Sequence, residues 1–164
     1  MAGHIATADR TDWCSPEKIW GPVQRFYGGR IELDPCSNDA VEFSAVATVK
    51  PPEDGLAIGW AGKVYCNPPY GDGLSRWVEK CANEYLQGRA QVILLLPAAV
   101  DTRHWQGPIY TSAAAVCYIQ GRLKFVGAAA SAPMATALVY WGHEGDRFCR
   151  FFEDMEDLGH CERL

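Results

Sequence analysis

The sequence has no apolar run near the roughly 20 residues needed to cross a bilayer, which excludes a membrane-spanning role for any single helix. Its opening stretch, MAGHIATADRTDW, lacks the basic start and apolar centre of a secretion signal, so the cytoplasm is the expected location. There is no Cys-x-x-Cys pair. The seven cysteines stand singly, at Cys14, Cys36, Cys66, Cys81, Cys117, Cys149 and Cys161, which argues against a zinc knuckle or a thioredoxin-type couple. An odd count without a secretion signal also argues against a disulfide framework, and most of these thiols are expected as small buried residues. No metal site is expected, and neither internal repeats nor a linker-like segment is present. Positive charge is scarce, with 15 Lys and Arg against 20 Asp and Glu. A net charge of −5 is unfavourable for a polyphosphate partner.

The distribution of charge softens that objection. From Glu144 onward seven acids face three bases, leaving only −1 for residues 1–143. The acidity belongs to the C-terminal segment, and the body can still present a local basic patch. At 164 residues and 48% hydrophobic, the chain suits one soluble domain, residues 1–164. Its core is expected over about 12–142 and an acidic tail over about 143–164, the latter holding a short helix around DRFCRFFEDMEDL. That tail is also the expected contact for a partner protein or a second copy.

Periodicity supplies the elements. Ser15-Pro16-Glu17 reads as a helix start with Ser15 as N-cap, and Gly28-Gly29 as its stop. RIELD (30–34) is a short strand, PCSNDAVEF a polar turn entering a short helix, and residues 44–63 mostly loop. KVYCN (63–67) is a strand ending at a double proline. Leu74, Trp77, Val78, Cys81, Ala82, Tyr85 and Leu86 recur at helical spacing, with Gly88 as the stop. QVILLLP (91–97) is apolar throughout, the mark of a strand covered on both faces. A short helix is expected within DTRHWQGPIY, then strands at AAAVCYI (113–119) and MATALVYWG (134–142), the last of the sheet and paired antiparallel. The pattern predicts a three-layer α/β fold with a mostly parallel sheet.

In open sheets of this kind ligands bind at the carboxyl ends of the strands. Three polar clusters fall there: Asp34-Pro35-Cys36-Ser37-Asn38, Asn67-Pro68-Pro69-Tyr70, and Pro97 through Asp101-Thr102-Arg103. The second makes specific chemical sense. An exocyclic amine on a heteroaromatic ring is a poor nucleophile because its lone pair is delocalised. Two acceptors aimed at its hydrogens favour pyramidalisation, and the Asn67 side-chain oxygen and the Pro68 carbonyl can supply them. The prolines restrict φ, so the acceptors need little reorganisation. Tyr70 can stack on the ring, while Gly71 and Gly73 leave clearance beside it. This chemistry requires neither a metal nor a covalent intermediate.

The Asn-Pro-Pro-Tyr motif resembles that of S-adenosylmethionine-dependent amino-methyltransferases, and the wider pattern is similar to the phage-type, Dam-like DNA adenine-N6 methyltransferases. DWCSPEKIW (12–20), LDPCSN (33–38), EDGL (53–56), VYCNPPYGDGLSRWVEK (64–80), LLLPAAVDTRHW (94–105) and GRLKF (121–125) follow that family's order. The resemblance implies an abbreviated Rossmann-like methyltransferase fold with no separate target-recognition domain. It implies an enzyme that methylates adenine N6 in DNA, in a bacterial host cytoplasm if the gene is a phage's. Asn67, Pro68, Pro69 and Tyr70 would hold the flipped base, and Phe125 is either its second cover or a core residue. S-adenosylmethionine would lie near Trp13, Ser15, Pro16, Asp34, Pro35, Cys36, Asp54 and Asn67. Arg103, Arg122 and Lys124 are either phosphate contacts or ordinary solvated charges. Three other amines suit the same motif: RNA adenine, cytosine N4 and a protein glutamine. A non-catalytic nucleic-acid or anti-restriction module on this fold is the remaining alternative.

Overall fold

The apolar stripe that begins at Leu74 forms helix α2, Leu74–Leu86, and buries Leu74, Val78, Cys81 and Ala82. The wholly apolar run beside it forms strand β4, Ala90–Pro97, in which Val92 through Leu96 are fully buried. A computed structural model describes residues 13–164; Asp12 and everything before it lie outside the described residues. No helix among the described residues is long and apolar enough to cross a membrane.

Among the described residues, seven strands make one sheet in the order β2-β1-β3-β4-β6-β5-β7. They are β1 (Ile31–Asp34), β2 (Ala45–Thr48), β3 (Gly62–Cys66), β4, β5 (Ala115–Ile119), β6 (Thr136–Trp141) and β7 (Gly159–Arg163). The β1, β2, β3 and β4 pairings are parallel, while β6 is antiparallel to β4 and to β5, and β7 antiparallel to β5. This is the Rossmann-like architecture expected from the sequence.

Alternation along the strands splits the core into two layers. Ile93 and Leu95 face helix α1 (Glu17–Phe26) and helix α4 (Gly145–Glu153), beside Val23, Phe26, Phe148 and Phe152. Val92, Leu94 and Leu96 face α2 and a helical segment that runs in π geometry over Trp105–Ile109 before helix α3 (Tyr110–Ser112). Between β1 and β2 the chain spans only residues 35–44, and between β2 and β3 only 49–61, neither with a helix. Those crossovers are near the shortest that parallel strands allow. They abbreviate the fold on the side where β1 meets β3.

Several expectations change. Ser15 is not the N-cap of α1: Pro16 is, and no side chain caps it. Ser15 is buried instead, its Oγ 2.6 Å from the Tyr65 hydroxyl oxygen. Residues 35–44 hold turns rather than a helix, and β2 lies within the stretch expected as loop. The strand at Thr136–Trp141 is not the last, because β7 extends the sheet beyond β5. The segment from 143 onward does not hang free of the core: Phe148 stacks on Tyr140 at 5.1 Å, and Phe152 is fully buried.

Candidate active site

The chain leaves β1 toward β2 on one side and leaves β3 toward β4 on the other. The carboxyl ends of β1 and β3 therefore flank the point where the sheet's winding reverses, the place such sheets reserve for ligands. A cleft of about 260 Å³ opens there. Its walls bring together Trp13, Ser15, Asp34, Pro35, Cys36, Asp54, Asn67, Pro68 and Pro69 from the sequence expectation.

Asp34 ends β1 and is 3% exposed. Its Oδ1 accepts the Cys36 N–H at 3.2 Å. Burial raises its pKa to about 6, although the Ser37 and Cys36 hydrogen bonds and the Lys50 charge pull the other way. Cys36 follows, its Sγ 3.7 Å from that of Cys66, with burial pushing its thiol pKa up. Across the cleft, Asp54 is exposed and its Oδ1 accepts the Leu56 N–H at 2.9 Å. Gly55 lets this loop close: a Cβ there would meet the Pro35 carbonyl oxygen at 1.9 Å.

Asn67 follows β3 directly. Its side-chain Nδ2 donates to the Trp13 carbonyl at 2.8 Å. With the donor end held there, the acceptor end points away from that carbonyl, because the two ends diverge from one carbon. Pro68 and Pro69 continue the wall. Gly71, at φ 138°, turns the chain into α2 through a backbone region that side chains avoid. Gly73 adopts an ordinary helical conformation with open space around it, so the fold itself does not demand a glycine there.

Other expected residues sit off the cleft. Pro16 caps α1, and its carbonyl accepts the N–H groups of Ile19 and Trp20. Tyr70 stands at the edge of an aromatic group, perpendicular to Trp13 at 6.4 Å and to Phe125 at 6.0 Å, with its hydroxyl donating to the Leu95 carbonyl at 3.4 Å. Phe125 is 2% exposed and stacks on the Trp13 indole at 5.1 Å, so in this arrangement its face covers Trp13. Arg103, Arg122 and Lys124 are exposed. His104 is half-buried with its pKa lowered by burial, and its Nε2 lies 3.2 Å from Thr102 Oγ1.

The profile of the DNA N-6-adenine-methyltransferase (Dam) family matches residues 2–138. The chain belongs to that family. The match takes in every strand from β1 to β5 and all the residues that wall the cleft. No curated protein matches the chain.

Sequence reasoning missed some of the cleft's lining in this Dam-family chain. Trp77 faces it from α2, stacked on Trp60 at 6.3 Å, with Phe43 and Val49 on the β2 side. Trp77 was visible as one position of the α2 stripe. Its half-buried state, unlike the full burial of Val78 and Cys81, follows from packing against a loop that leaves a cleft. Among the described residues no group of three or more His, Cys, Asp or Glu side chains could hold a metal ion.

Proposed function

We propose that this chain transfers a methyl group from S-adenosylmethionine to the N6 amine of adenine in DNA, with the base flipped out of the duplex beside Asn67. Family membership supports the reaction class. The observation that carries the residue assignment is the Asn67 amide, held by its donor end at a cleft wall where the sheet's winding reverses.

The cleft's groups fit S-adenosylmethionine. Its adenine is flat and its amine a donor; Trp77 supplies a flat apolar wall, and Asp54 has lone pairs beyond the one given to Leu56. Its methionine end carries positive charge, and Asp34 is a buried carboxylate on the same cleft. Gly55 keeps the loop against Pro35, a closure that a Cβ would prevent. Trp13 and Ser15 border the methionine end, while Pro16 contributes through α1 rather than by contact. When bound, S-adenosylmethionine supplies an electrophilic methyl group on a sulfonium sulphur.

The chain's own part is to make the amine a nucleophile. Asn67 Oδ1 and the Pro68 carbonyl accept the two amine hydrogens, which localises the lone pair and stabilises the positive charge that develops on nitrogen. The proton then leaves to solvent. Tyr70 stacks on the adenine, with Trp13 and Phe125 at the rim of that pocket. Arg103, Arg122 and Lys124 contact phosphates and set the register on the duplex.

Incubating the protein with methyl-labelled S-adenosylmethionine and DNA, RNA or protein tests this reading. Label on DNA adenine is expected. Label confined to RNA, to cytosine or to protein would overturn the substrate. Calorimetry that finds no S-adenosylmethionine binding in the presence of saturating DNA would favour a non-catalytic module.

A further inference from the structure

An asparagine amide has nearly the same shape at its two ends and opposite polarity. Its oxygen attracts an amine hydrogen; its NH2 turned to the same place repels it. A catalytic asparagine of this kind therefore needs something that decides which end faces the substrate. In this chain the Trp13 carbonyl is that group, since it accepts from Asn67 Nδ2 at 2.8 Å across 54 residues of sequence.

The carbonyl is itself well anchored. The Trp13 indole stacks on Phe125 with an interplanar angle of 16° and a centroid distance of 5.1 Å. Cys14 bridges antiparallel to Val126, whose N–H donates to the Cys14 carbonyl at 3.0 Å. Its Sγ donates to Asn38 Oδ1 at 3.3 Å, and Ser15 Oγ meets the Tyr65 hydroxyl. Residues 13–15 thus tie the turn after β1, the strand β3 and the loop after β5 to one another.

We propose that Trp13 and Phe125 are positioning residues for Asn67. Their stacked rings fix the Trp13 carbonyl, which in turn fixes the polarity of the Asn67 amide so that Oδ1 faces the amine to be methylated. Neither ring has to touch the reacting atoms for this. The inference rests on reading Asn67 as the amine acceptor.

The test combines kinetics with nuclear magnetic resonance on the full chain. The Asn67 side-chain amide pair, assigned by its disappearance in Asn67→Ala, is expected to show nuclear Overhauser contacts to Trp13 Hα or Cys14 Hα, the protons that flank the Trp13 carbonyl oxygen. This is read on the wild type and needs no activity, so its absence overturns the proposal even if a variant fails to fold. Trp13→Leu should lose that contact and about tenfold or more in kcat, the scale expected when a reacting group is misplaced. Trp13→Phe, which keeps a ring for Phe125, should recover most of the rate, and Phe125→Leu, whose ring does not line the cleft, should reproduce the loss in kcat with Kd for S-adenosylmethionine within about threefold. A Trp13→Leu protein with wild-type kcat, or with a loss confined to Kd, would overturn it. If Asn67→Ala still methylates, the reading of Asn67 fails and this inference with it. If Asn67→Ala is inactive and Trp13→Leu is fully active, the positioning role alone falls.

Discussion

Gly55 lies so close to Pro35 that a Cβ on the glycine would come within 1.9 Å of the proline's carbonyl oxygen. The added atom would also sit 3.1 Å from the Trp77 ring. Two walls of the cleft thus meet at a residue with no side chain. Gly55→Ala should push the 51–55 loop off the β1 turn and weaken S-adenosylmethionine binding by about tenfold, equivalent to about 1.4 kcal/mol. Isothermal calorimetry measures this. Unchanged affinity would mean that the loop is not part of the cofactor site.

Asp34 gives the site a pH dependence. Its pKa in the fold is raised from 3.8 to about 6, chiefly by burial, so the folded protein binds this proton more tightly than the unfolded chain does. Its contribution therefore favours folding at low pH and is lost as pH rises from about 4 through 6, a difference of about 3 kcal/mol. Urea denaturation of wild type and Asp34→Asn should show the variant gaining relative stability between pH 4 and 7. Ligand binding should run the other way, since the ionised carboxylate is the form that attracts a cation. Affinity for S-adenosylmethionine should fall below pH 6 in the wild type, and Asp34→Asn should flatten that slope.

Glu84 carries the opposite sign. Its side chain is 1% exposed, and burial alone would raise its pKa. Ion pairs with Arg89 at 2.6 Å and Lys80 at 2.7 Å overcome this and hold it near 2. The stabilisation is present above pH 4.5 and is lost as pH falls toward 2. The Lys80 pair lies within α2, and the Arg89 pair links the end of that helix to the residue before β4. Glu84→Gln should cost about 1–3 kcal/mol at pH 7, and the gap from wild type should narrow on acidification. Parallel urea titrations at pH 7 and pH 3 would show it, and an equal gap at both would refute the ion-pair account.

Helix α4 is part of the core rather than an appendage. Phe152 is fully buried and sits 5.7 Å from Phe26 and 4.4 Å from Phe148, centroid to centroid. Phe152→Ala should destabilise the protein by about 3–5 kcal/mol. A loss below 1 kcal/mol in a denaturant titration would mean that the C-terminal segment is dispensable to the fold.

How much of this was legible in the sequence depended on burial. Helix α2 and strand β4 could be read because each commits most of its length to the core, so apolar spacing and structure coincide. β2 and β7 could not. They are the two edges of the sheet, and β2 exposes Val46, Ala47 and Thr48 while only Cys161 of β7 is buried. An edge strand with one short apolar contact leaves no periodic trace. The helical segment at 105–109 was placed but not its π geometry, which accommodates Gly107 and Pro108.

The cleft was legible to the extent that its residues sit at strand ends. Asp34 and Asn67 follow from topology alone. The tie between Asn67 and Trp13 does not, because it runs through a backbone carbonyl, and every residue type has one. Trp77 and Phe125 mark the other limit: a half-buried aromatic on a cleft wall and a buried one behind it have the same letters and spacing as ordinary core.

The most direct test is to digest DNA treated with the protein and S-adenosylmethionine to nucleosides and identify the methylated product by mass spectrometry. N6-methyldeoxyadenosine should form with the wild type. With Asn67→Ala it should fall by about 100-fold or more, the loss typical of a transition-state hydrogen-bonding group, while calorimetry shows S-adenosylmethionine still bound. Methylation of cytosine instead, or an Asn67→Ala protein as active as the wild type, would contradict the account.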